Sequence, residues 1–249
     1  MNRRELLASA GTVLSLGALG RTAGRPTDTL VVRVWRSEQA AAYDGVRSTV
    51  REYLTAALDP VVGGVEVQFA ERTVSLPREG GRAVLANLWP RIVLAGVTGV
   101  RNVDPVDGVN LLMTDGDPTV QPAGYGRPTV AAVTGAAKLA DAPPAAETSG
   151  VVPYSVTNAV VQLVLHECGH ALGLSHDHGS ASVDGERVVA SPMVGSYLWE
   201  SGRSDHLDSS GNQCGESYPD PDDGERRSLG LRYGPCARSA LRGSPTARA

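Results

Sequence analysis

SVTNAVVQLVLHECGHALGLSH, residues 155–176, holds three histidines, one glutamate and two glycines in its second half. Ser155 or Thr157 can cap a helix, and Val160, Val161, Val164, Leu165, Ala171 and Leu172 make that helix largely buried. His166 and His170 are four residues apart, so both imidazoles leave the same helix face. Two ligands of a tetrahedral zinc are thereby carried on one rigid element. Glu167 neighbours His166 around the helix and reaches a water at the metal without having to ligate, which is where a general base is needed. Gly173 can adopt a left-handed conformation, end the helix and reverse the chain. His176 then returns as a third nitrogen ligand, and a fourth position stays open, as in catalytic rather than structural zinc sites.

Cys168 lies about 200° around the helix from His166 and reads as a buried, inert thiol. Five specified residues at five fixed places arise by chance on the order of once in a hundred thousand chains of this length. A histidine-rich turn is therefore a poor explanation of the stretch.

The rest of the chain bounds the context. With 249 residues and 41% hydrophobic positions it can bury a substantial core. Its formal charge is -4, Lys138 is the only lysine, and no arginine cluster marks a nucleic-acid surface. Residues 1–23 pair Arg3 and Arg4 with an apolar run from Leu6 to Leu19 and then small residues, the layout of an export signal with a twin-arginine start. That run is too short and glycine-rich for a stable membrane span. An exported, extracellular or cell-surface protein is expected, with 24–238 as the folded catalytic domain and 239–249 as a flexible tail. In an oxidising compartment Cys214 and Cys236 are the expected disulfide, flanking a loop rich in Gly, Pro, Asp and Ser.

Strand-like and helix-like patterns alternate upstream. TLVVRVWR (29–36) alternates as a strand, and SEQAAAYDGVRSTVREYLTAAL (37–58) reads as a helix capped by its serine. GVEVQFAERTVSL (64–76) returns to strand alternation, while residues 78–106 stay ambiguous: RAVLANLW looks helical to Pro90, and RIVLAGV is either its continuation or a short strand. GVNLLMTDGDP (108–118) and PTVAAVTGAAKLA (128–140) read as strands.

The sequence resembles the metzincin metallopeptidases. His166, Glu167, His170, Gly173 and His176 match H-E-x-x-H-x-x-G-x-x-H in full, and SPMVGSY (191–197) supplies Met193 for the methionine turn under the metal. The resemblance implies an α+β catalytic domain: a twisted mixed sheet with an active-site helix, a backing helix and a C-terminal helix, the last expected in DDGERRSLGLRYG (222–234). It implies one catalytic zinc ion, and a protein or peptide substrate lying extended along an edge strand near residues 124–132. In the implied reaction zinc and Glu167 activate a water that attacks the scissile carbonyl, and Glu167 hands the proton to the departing amine. Some relatives have a tyrosine ligand two residues after the methionine; here that place is Gly195, and Tyr197 reads as a packing residue. His178 reads as a solvated loop histidine. Glu186 or Glu200 are the alternatives to His176 as third ligand. A zinc amidase acting on a non-protein amide, or a non-catalytic binding domain on the same scaffold, are the rival functions, although the second has no use for Glu167.

Overall fold

A computed structural model describes residues 29–100, 103–116, 121–199, 206–208, 211–220 and 226–244. The expected export signal (1–23) and Glu200 lie outside the described residues. Among those described, the chain forms a mixed α/β fold with two mixed sheets and five α-helices.

The first sheet contains β1 (Leu30–Arg36), β2 (Val65–Phe69), β3 (Val109–Thr114), β4 (Gly124–Arg127) and β5 (Val130–Thr134) in the order β2-β1-β3-β5-β4. All neighbours run parallel except β4, which closes the sheet as an antiparallel edge. All six residues of β3 are buried, as suits a strand covered on both faces. Leu111 and Met113 point into the core formed with α1 (Gly45–Val62), α3 (Ala136–Ala140) and α4 (Val156–Ala171). Leu112 points the other way, into a cluster around Trp35 and Trp89.

That second cluster settles the ambiguous stretch. Residues Ala83–Leu88 form a π-helical segment that runs directly into α2 (Trp89–Val97), so RIVLAGV continues the helix. Pro90 is tolerated because it falls in the first turn of α2. The helix expected from Ser37 starts later. Ser37 Oγ accepts from Ala40 N at 3.1 Å at the entry to a short 3-10 turn (Ala40–Ala42), and the chain extends at Tyr43 before α1 begins at Gly45. The Tyr43 hydroxyl donates to Asp115 at 2.9 Å, a tertiary bond that draws the chain out of helical geometry there.

The second sheet has the order β6-β9-β8-β7, built from β6 (Val151–Pro153), β7 (Ala181–Asp184), β8 (Arg187–Ala190) and β9 (Arg226–Gly230). Here the expected helix over 222–234 is corrected: none of its described part is helical, and Arg226–Gly230 is a strand, parallel to β8 and antiparallel to β6. Two ladders satisfy its backbone where an isolated helix of that composition would have only its own turns. The C-terminal helix is α5 (Pro235–Gly243), entered through Pro235 in its first turn. It crosses the expected boundary at residue 238, since Leu241 is fully buried in the main core. Cys214 and Cys236 form the expected disulfide, with Cα atoms 5.8 Å apart, and Cys168 is free and buried. No helix among the described residues is long and apolar enough to cross a membrane.

Candidate metal centre

Helix α4 starts at Ser155, whose hydroxyl accepts the Asn158 amide at 3.1 Å, so the serine rather than Thr157 is the cap. It packs on β4 and β5. Near its C-terminus His166 and His170 bring their Nε2 atoms to 3.1 Å, and His176 Nε2 stands 3.2 Å from that of His170. The donor atoms of the three residues all lie within 4.8 Å of one another, a group that could hold a metal ion.

Each ring is fixed from behind by a backbone carbonyl. Nδ1 of His166 lies 2.7 Å from Pro192 O, that of His170 2.8 Å from Leu174 O and that of His176 3.0 Å from His206 O. A carbonyl only accepts, so every Nδ1 carries the hydrogen and every Nε2 presents a lone pair. Burial pushes His166 down to about 3 and also lowers His170 and His176, which keeps the cluster neutral near neutral pH. Three lone pairs aimed at one point repel one another unless a cation sits between them. A tetrahedral ion with Zn–N bonds of ordinary length separates its nitrogens by about 3.3 Å, close to the observed spacing. The donor set therefore fits a borderline divalent ion such as zinc, and its outer hydrogen bonds are those that orient ligating imidazoles.

Two turns make this arrangement. Gly173 adopts φ 93° with open space on its Cβ side, and Leu174 N donates back to Gly169 O at 2.9 Å, closing the helix so that Leu174 O meets His170. The chain then swings His176 round to the cluster. The second turn, around Met193, places Pro192 O behind His166. Met193 is fully buried, and a Cβ at Gly169 would collide with its Sδ, so the helix can rest on the methionine only through a glycine.

Glu167 is 4% exposed and lines a cavity of about 430 Å³ together with His166, Gly124, Leu163, Tyr197 and Trp199. Its carboxyl has no hydrogen-bond or ion-pair partner among the described residues, and burial pushes it up to about 8. Gln162, on the same helix, donates both amide hydrogens, to Ala190 O at 2.8 Å and Gly230 O at 2.9 Å, and so turns its carbonyl away from the second sheet.

Tyr197 packs its ring 4.9 Å from that of His176 and stacks at 4.0 Å on His206. His178 accepts from Ser175 N at 3.0 Å and holds the turn His176–His178 instead of joining the cluster. Glu186 is exposed between β7 and β8, where it pairs with Arg226 at 3.7 Å, outside the metal-competent group. Sequence reasoning missed His206, whose segment has no periodicity to read, and Gly169, whose presence in a helix interior was a usable signal because glycine is costly there.

A scan against protein-family models finds no match, and a search of curated proteins finds no significant relative.

Proposed function

We propose that this chain is an exported zinc endopeptidase of the metzincin type. One observation carries the reading: three carbonyl-backed imidazoles converge through Nε2 beside the unpartnered carboxyl of Glu167, at a cavity that borders a sheet edge. His166, His170 and His176 would hold the ion, which when bound supplies Lewis acidity, lowering the pKa of a water and polarising a carbonyl. Glu167 supplies the proton path. Its buried carboxyl takes a proton from the attacking water and delivers it to the departing amine; with the ion bound, the nearby positive charge would favour the carboxylate form that this first transfer needs. Met193 and Pro192 hold His166 in register from below.

The edge strand β4 offers backbone groups to an extended peptide, and the cavity beside Glu167 has apolar walls at Leu163, Trp199 and Leu229 for one of its side chains. The sheet edge at β4 favours an extended peptide over a small non-protein amide. The single disulfide fits an oxidising compartment.

Zinc analysis and a peptide-library digest of the wild-type chain and two variants test this. The wild type should carry about one zinc per chain and cleave within peptides. His176→Ala should lose most zinc and nearly all cleavage, while Glu186→Ala should match the wild type in both. Zinc retained by His176→Ala and lost by Glu186→Ala would reject the site, and a zinc-loaded wild type that cleaves no peptide would reject the function.

A further inference from the structure

The edge strand β4 reads Gly-Tyr-Gly-Arg, with glycine at alternate positions. Alternate residues of a strand share a face. Tyr125 packs toward the cluster of Trp35 and Trp89, so Gly124 and Gly126 face the opposite way, onto α4. The backbone does not require glycine at either place, because neither residue has positive φ. Space does. A Cβ at Gly124 would fall within 3.0 Å of Glu167 Oε1, Cγ and Cδ. A Cβ at Gly126 would meet Glu167 O and His170 Cβ at 2.6 Å and Glu167 Oε2 at 2.8 Å.

We infer that Gly124 and Gly126 are positioning residues for Glu167: their two missing side chains form the seat in which its carboxyl rests against the sheet edge. The catalytic consequence rests on the proposed role of Glu167 as base; the seat itself does not. β4 is fixed by its register with β5, and α4 by its packing in the main core, so neither backbone yields cheaply. At position 124 the only soft neighbour is the Glu167 side chain, and one added carbon there displaces the carboxyl from its place beside His166. At position 126 two of the three neighbours are immovable without shifting α4, so an added carbon pushes the strand itself away from the helix.

A double-mutant cycle on the full chain tests the seat, read by thermal unfolding, zinc content and steady-state kinetics on one peptide. Gly124→Ala should lower Tm by about 4 °C or more in the wild type. In a Glu167→Ala background, which removes all three clashing atoms, the same substitution should shift Tm by less than about 1 °C. Gly126→Ala should lower Tm in both backgrounds, because Glu167 O and His170 Cβ remain. Gly124→Ala should keep about one zinc per chain and KM within about twofold, with kcat down at least about tenfold. Should Gly124→Ala alone fail to fold, recovery of folded protein in the double variant supports the seat, and failure to recover overturns it. An equal Tm loss in both backgrounds overturns it, as does an unchanged kcat in an active enzyme. A wild type without peptidase activity would reject the function while the Tm cycle still decides the seat.

Discussion

Glu167 and His166 are buried and His170 and His176 half-buried, and desolvation disfavours the charged form of each, raising the carboxyl and lowering the imidazoles. The imidazoles are held neutral, and the carboxyl of Glu167 is held protonated up to about 8 when no cation is near. In the metal-free chain the folded state therefore binds one more proton at Glu167 than the unfolded state does between its ordinary value, near 4.5, and about 8. Stability from this group is fully present below the lower value and is lost as pH rises toward the upper one. Glu167→Gln removes that loss and leaves the histidines as they are. With a chelator present, the stability of the Gln variant relative to the wild type should rise from pH 5 to pH 8, by up to about 1.4 kcal/mol for each pH unit. Zinc should shrink the difference, since a nearby cation favours the carboxylate. Denaturant titrations at several pH values measure this, and a difference that stays flat with pH would show that Glu167 is not desolvated.

Helix α4 was legible in the sequence because its chemistry and its packing share one period. The histidine spacing, the apolar face and the Ser155 cap all agree, and Gly173 marks the end. The strand β9 was not legible. Five residues of RRSLG carry no decisive alternation, and what makes them a strand is a ladder on each side, from β6 and β8, that lies far away in sequence. The glycines of β4 were unreadable for the same reason: the residues that forbid their side chains, Glu167 and His170, come more than 40 residues later. The disulfide was readable, but its use was not. It ties α5 to the loop in which Asn212 donates to Gly179 O and Gln213 N to Asp177 O, both at 2.8 Å, bracing the turn that carries His176. Reduction should cost about 3 kcal/mol by the chain-entropy estimate and should weaken zinc binding as well. Mass spectrometry should find Cys168 free before unfolding. A bridge to Cys168, or zinc affinity unaffected by reduction, would contradict that coupling.

At the scale of the whole molecule, the two sheets divide the labour. The five-stranded sheet, covered on both faces, supports α4 and presents β4 as an edge, while the four-stranded sheet closes the far side of the cavity through Arg227 and Leu229 and receives Gln162. The metal-competent cluster lies where helix, the turn at Met193 and edge strand meet, so in the proposed function each part would contribute one element of a hydrolytic site: ligands, support and a place for an extended chain. Whether that assembly hydrolyses peptides turns on the carboxyl of Glu167. The most direct measurement is peptide cleavage by Glu167→Gln compared with the wild type at matched zinc content. The account predicts about one zinc per chain in both and turnover lower by roughly a thousandfold or more in the variant, a loss of about 4 kcal/mol of transition-state stabilisation. Near-normal cleavage by the zinc-loaded variant would contradict it.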